Sequence, residues 1–137
     1  MKSQSIQDYL KKIRQEKSFI SADVLEPLPY RNPGTGTRVE IEYPEFTSLC
    51  PRTGLPDYGK ITIKYLPDKH IIELKSLKFY FLQFRNAGIF YEELNQLILD
   101  HLTSAVQPHE MTIDSVFTPR GGMTTRVTST FKKNESC

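Results

Sequence analysis

A change of hydrophobic period, from two to about 3.6 and back to two, constrains this chain more than any other feature. Val39, Ile41 and Tyr43 alternate with Arg38, Glu40 and Glu42, and later Ile61, Ile63 and Tyr65 alternate with Lys60, Thr62 and Lys64. Each set describes a strand with one buried face. Between them, Pro44 to Gly59 carries the turn formers Pro51, Gly54 and Pro56, which predicts an antiparallel hairpin with a wide connection. From Ser76 the spacing becomes helical. Leu77, Tyr80, Phe81 and Phe84 share one face, Asn86 to Gly88 interrupt it, and Phe90, Leu94, Leu97, Ile98, Leu102 and Ala105 share a second. Alternation returns beyond Pro108 in Met111, Ile113, Ser115 and Phe117. It continues past the turn Pro119-Arg120-Gly121-Gly122 in Thr125, Val127, Ser129 and Phe131. The order strand-strand-helix-helix-strand-strand predicts an α+β fold.

Outside this unit the signals are simpler. Ile6, Tyr9, Leu10 and Ile13 predict a short amphipathic helix over 5–17, packed as an appendage. Residues 27–37 hold Pro27, Pro29, Pro33, Gly34 and Gly36 and read as a loop. We therefore divide the chain into a helical extension over 1–24, one domain over 25–132 and a polar tail over 133–137. The last strand, rich in Thr, Ser and Arg, has a polar face or edge suited either to solvent or to pairing with another subunit.

Composition narrows the function. The chain has 137 residues, with 18 Lys+Arg against 16 Asp+Glu, a net charge of +2. This fits one globular domain and disfavours broad electrostatic attachment to nucleic acid or anionic membrane. No run approaches the roughly 18 apolar residues of a membrane helix, and Met1 to Ser5 does not begin an apolar signal core, so a cytoplasmic location is expected. The two cysteines, Cys50 and Cys137, and three scattered histidines form no metal-ligand spacing, and a structural disulfide is not expected. A domain of this size has little area for a deep pocket, which favours pockets built between subunits.

Cys50 lies in a loop punctuated by Pro and Gly, seven residues before Asp57. A thiol beside a carboxyl suggests a nucleophile with a proton-transfer partner; an incidental loop thiol beside a Pro-Asp turn is the alternative. In Glu73-Leu74-Lys75-Ser76-Leu77-Lys78, Lys75 and Lys78 share a face at a helix N-terminus, where cations oppose the dipole. They are either a solvated basic face or a phosphate site. Arg120 and Gly121 offer a guanidinium and backbone N–H groups to an anion, or merely close a hairpin. Glu92 and Glu93 suit the start of the second helix.

Phe46-Thr47-Ser48-Leu49-Cys50-Pro51-Arg52-Thr53-Gly54-Leu55-Pro56-Asp57, followed by the Glu73 to Lys78 segment, Phe84-Arg85-Asn86 and Phe117 to Gly122, resembles the short, single-domain NADPH-dependent 7-cyano-7-deazaguanine reductases. The resemblance covers roughly residues 25 to 132. It implies a tunnelling fold whose units assemble into β-barrels, a homo-oligomer with sites at subunit interfaces, and two stacked pentamers as the form of that assembly. It also implies reduction of the nitrile of 7-cyano-7-deazaguanine to an amine in queuosine biosynthesis, with NADPH as reductant, acting on the free base before it enters tRNA. In that reading Cys50 is the nucleophile and forms a thioimide, and Asp57 protonates the nitrile nitrogen. Glu92 holds the base, with Ile72, Glu73 and Leu74 lining its site. Lys75, Ser76, Lys78, Arg120 and Gly121 meet the NADPH phosphates. Two departures are visible: Tyr91 stands where some members have His, so that the resemblance implies a contact to the base there but not an imidazole proton relay, and no cysteine near Leu94 is placed to pair with Cys50. The alternatives are a related tRNA-acting amidinotransferase and a non-catalytic nucleobase- or RNA-binding member of the fold. Retention of the Glu73 to Lys78 segment favours the reductase over the first, and the intact Cys50 and Asp57 argue against the second.

Overall fold

The computed structural model describes residues 20–134. The helix expected over 5–17 and the residue Cys137 lie outside them. Four long strands form one antiparallel sheet: β2 (Val39–Leu49), β3 (Pro56–Leu66), β5 (Glu110–Phe117) and β6 (Arg126–Lys132), in the order β2-β3-β5-β6. The two hairpins thus meet along β3 and β5, leaving β2 and β6 as edges. Between the hairpins come α1 (Leu74–Leu82), a 3₁₀ turn over Gln83–Asn86 and α2 (Tyr91–Val106). This is the expected α+β order.

The core lies between the helices and one sheet face. Leu77, Tyr80, Phe81 and Phe84 are buried from the first helical segment, and Leu94, Ile98 and Leu102 from the second. Met111, Ile113, Ser115 and Phe117 point inward along β5, as the alternation predicted. Phe46 joins an aromatic cluster with Phe81, Phe84 and Phe117 at centroid distances of 6.0, 5.5 and 6.5 Å. Each such buried ring contributes on the order of 1.5–3 kcal/mol, enough to fix where the helices sit on the sheet.

Two expectations are corrected. The wide connection over 44–59 shrinks to a tight turn, because β2 runs on to Leu49 and β3 starts at Pro56. A register shift between Tyr43 and Phe46 accommodates Pro44, which lacks a ladder N–H, and it reverses the inward phase from Ile41 and Tyr43 to Phe46 and Ser48. Period counting stopped at that irregularity. The proline-rich loop also begins as a strand: β1 (Pro27–Pro29) pairs antiparallel with β4 (His70–Ile72), an edge position that tolerates the missing proline donors.

At Gly59 the close packing of strands leaves no room for a side chain. A β-carbon there would lie 2.7 Å from the Phe117 ring and 2.8 Å from the Val116 carbonyl oxygen. Because backbone is one of the two obstacles, Gly59→Ala is expected to cost about 1–3 kcal/mol of overpacking strain. Thermal unfolding should show a lower Tm; a variant as stable as the parent would mean β3 and β5 are less closely packed than described.

Candidate active site

Cys50 directly follows β2, and the turn after it is closed by its own backbone. The Cys50 N–H donates to the Leu55 carbonyl at 2.9 Å and the Gly54 N–H to the Cys50 carbonyl at 2.8 Å, with Gly54 in the left-handed region at φ 75°. This closure turns the Arg52 and Thr53 N–H groups toward the sulfur. Burial pushes the thiol pKa up, and the charge of Asp57 adds to that; hydrogen bonds from the Thr53 side chain and from the Thr53 and Arg52 backbones outweigh both and leave it lowered. A half-buried thiol held in this way favours the nucleophilic thiolate.

Asp57 sits on β3 directly opposite Ser48 on β2, and both are buried on the core face. The Thr47 hydroxyl donates to the Asp57 carbonyl at 2.8 Å, tying the strand ends together beside the thiol. Arg120 places Nη2 2.5 Å from Asp57 Oδ1 and donates to the Pro56 carbonyl at the same distance. Its turn is held by reciprocal backbone hydrogen bonds with Met123, both 2.9 Å, with Gly121 exposed at φ 55°.

The first turn of α2 reaches this group through a short backbone pairing. Leu49 N–H donates to the Ala87 carbonyl at 2.9 Å, and Ile89 N–H donates back to the Leu49 carbonyl at 3.2 Å. Two residues on, the Tyr91 ring stacks on Phe117 with centroids 3.7 Å apart and planes 7° from parallel. Burial, a hydrogen bond with Asp57 and the charge of Asp57 push the Tyr91 phenol up to about 12, with Arg120 opposing. Tyr91 therefore stays protonated near neutral pH, a hydrogen-bond donor where an imidazole would titrate. Glu92 follows it, exposed, in the helix's first turn.

The other sequence-predicted residues cluster around the start of α1. Glu73 caps that helix: its carboxylate accepts from the Lys75 N–H at 2.8 Å and the Ser76 N–H at 2.6 Å, and those bonds lower its pKa. The chain's own carboxylate thus occupies the helix end beside Lys75 and Lys78. Ser76 is buried, its hydroxyl donating to the Glu73 carbonyl at 2.7 Å and accepting from the Glu26 N–H at 2.9 Å. Ile72 is buried, while Leu74, Lys75 and Lys78 are exposed.

Cys50, Asp57, Tyr91 and Arg120 are thus brought together, and Ile72 to Lys78 form a separate group. Among the described residues no hydrogen bond or ion pair joins the two. Sequence reasoning assigned no role to Thr53, which tunes the thiol, or to Phe117, the platform under Tyr91. Ser48 was also missed, because its inward direction depends on the phase reversal in β2.

Comparison with known proteins gives consistent results. The family model described as QueF-like protein matches residues 56–136. A relative from Chlorobaculum parvum, named NADPH-dependent 7-cyano-7-deazaguanine reductase, is 53% identical over 112 residues, covering 82% of this chain and 97% of the relative. Proteins of the same name from Chloroherpeton thalassium and Prosthecochloris aestuarii are 53% and 51% identical, covering 80% of this chain in each case and 95% and 92% of themselves. The crystal structure of the archaeosine synthase QueF-Like in the apo form is similar in fold, with a TM-score of 0.62 at 19% identity over 72% of this chain and 95% of that one.

The turn makes a testable claim about the thiol. Peptide-resolved alkylation of Cys50 across pH should show a midpoint below the ordinary cysteine value of about 8.5. Removing a lowering contact in Thr53→Ala should move that midpoint upward. An unchanged midpoint would mean that Thr53 does not hold the sulfur.

Proposed function

The chain belongs to the QueF-like family, and from that premise we propose that it reduces the nitrile of 7-cyano-7-deazaguanine to an aminomethyl group, consuming two NADPH, in queuosine biosynthesis. The observation that carries this reading is the Cys50 thiol, lowered in pKa and set beside the buried carboxyl of Asp57.

A nitrile accepts hydride poorly, so covalent activation comes first. The Cys50 sulfur adds to the nitrile carbon. A carbon–sulfur bond forms, the S–H bond breaks and one C–N π bond opens, while Asp57 carries the thiol proton to the nitrile nitrogen. The product is a thioimide, formed with no change in the number of electrons. Tyr91 holds the carboxyl by a hydrogen bond during the transfer and Arg120 balances its charge, and Glu92, at the start of α2, accepts N–H donors of the base. Two NADPH, bound in turn, would each supply one hydride and solvent one proton for each, taking the thioimide to the amine with return of the Cys50 thiol.

The donor set fits an anionic cofactor. Lys75 and Lys78 are exposed on α1, and Gly121 leaves its backbone open. We assign the NADPH phosphates to Lys75, Ser76, Lys78, Arg120 and Gly121. Ser76 contributes by holding the α1 start against Glu26, since its hydroxyl is already engaged. Ile72, Glu73 and Leu74 would line the base site with Tyr91 and Glu92.

One chain leaves these two groups apart, which supports a pocket completed by a second copy in a homo-oligomer. Among the described residues β6 and the part of β2 before Leu49 are sheet edges suited to such pairing, and exposed Leu55, Tyr58, Phe90 and Met123 near the first group and Leu74 and Phe79 near the second suit an interface. Two stacked pentamers are the assembly we propose, on the resemblance. No helix among the described residues is long and apolar enough to cross a membrane, and we place the reaction in the cytoplasm, on the free base.

Oxidation of NADPH that depends on the free base, with two equivalents consumed per base, is the expected activity. Amidine transfer to tRNA would consume none, and a binding-only protein would turn nothing over. Asp57→Asn should still bind the base but lose at least about 100-fold in turnover, the usual scale of acid-base catalysis. Undiminished turnover in that variant would remove Asp57 from the mechanism.

A further inference from the structure

Among the described residues, two buried side-chain polar atoms lack a hydrogen-bond partner: Ser48 Oγ and Asp57 Oδ1. Arg120 lies close to that carboxylate oxygen as an ion pair, but without hydrogen-bond alignment. The two orphaned atoms belong to residues directly opposite each other on β2 and β3. Opposed residues in an antiparallel pair point to the same face with β-carbons about 4.5–5.5 Å apart, so rotation about one serine side-chain bond brings the hydroxyl within reach of the carboxyl. Buried polar groups are rarely left unpaired, and two adjacent exceptions at a reacting centre indicate a contact made during the work of the site.

We propose that Ser48 is a positioning residue for the reaction, its hydroxyl donating to Asp57 Oδ1 so that the other carboxyl oxygen faces the thiol and the nitrile nitrogen. This rests on the proton-carrying role proposed for Asp57. The need for it follows from Arg120. Its Nη2 lies 2.5 Å from Oδ1 while donating to the Pro56 carbonyl, so it balances the charge of the carboxyl without fixing its rotation. Tyr91 supplies one hydrogen bond to the carboxyl, and the serine hydroxyl opposite is the donor that fixes Oδ1. Ser48 touches neither substrate nor cofactor in this arrangement; it acts through Asp57 alone.

The valine and threonine variants isolate the hydroxyl, because the two side chains have nearly the same shape and differ in that group. Thioimide formation from enzyme and 7-cyano-7-deazaguanine without NADPH is followed by stopped-flow and intact mass. Ser48→Val is expected to form the adduct at least about tenfold more slowly than Ser48→Thr, with the same half-saturating concentration of base, as for loss of one oriented hydrogen bond. Equal rates for the two would overturn the proposal, as would a loss confined to base affinity. Where the valine variant does not fold, Ser48→Ala adds no volume and must show the same slowing; an alanine variant at the parent rate overturns the proposal. A parent enzyme that forms no adduct would fail earlier, at the nucleophilic role of Cys50, and would leave Ser48 nothing to position.

Discussion

Everything at the candidate site depends on the short backbone pairing between Leu49 and the segment from Ala87 to Ile89. It holds the end of β2, and with it Cys50, against the chain that enters α2, so a loop thiol, a strand carboxyl and a helix phenol converge although they are distant in sequence. Two backbone hydrogen bonds contribute only about 0.5–1.5 kcal/mol each. The buried aromatic rings of Phe46, Phe84 and Phe117 supply far more, so the pairing sets register while the core supplies stability. Its value is directional.

The same economy governs the charges. Asp57 is buried, and its neighbours differ in kind: a partly exposed guanidinium paired with it, a phenol that stays protonated near neutral pH, and a serine hydroxyl with no present partner. In the proposed mechanism this carboxyl exchanges a proton with the thiol, and its fixed surroundings spare the backbone from reorganising as it does so. The α1 end shows the opposite arrangement. There Glu73 satisfies the helix start from within the chain, and the Lys75 and Lys78 side chains stand exposed beside it. In the proposed function, each half of the pocket is built by a different stretch of chain and the two are joined through a second copy.

Most of the architecture was legible in the sequence because the amphipathic period is a direct consequence of which face is buried. Leu94, Ile98 and Leu102, or Met111, Ile113 and Phe117, could be assigned inward from spacing alone. The reading failed where one residue of irregularity changed the phase, between Tyr43 and Phe46, and where prolines formed an edge strand. At the site, Cys50 and Asp57 were visible as a motif, but their environment was not. Spacing cannot reveal that Arg120 turns back onto Asp57, that Phe117 supports Tyr91, or that Glu73 is engaged by its own helix, since each is a contact between elements or a choice of rotamer.

The central claim is that Cys50 forms a covalent bond to the nitrile carbon before any hydride is transferred. Intact mass of the protein after incubation with 7-cyano-7-deazaguanine, with NADPH withheld, tests it most directly. The account predicts a gain equal to the mass of the base, located on the peptide carrying Cys50 and absent from Cys50→Ala. An active enzyme with no such gain, or a gain that persists in Cys50→Ala, would contradict it.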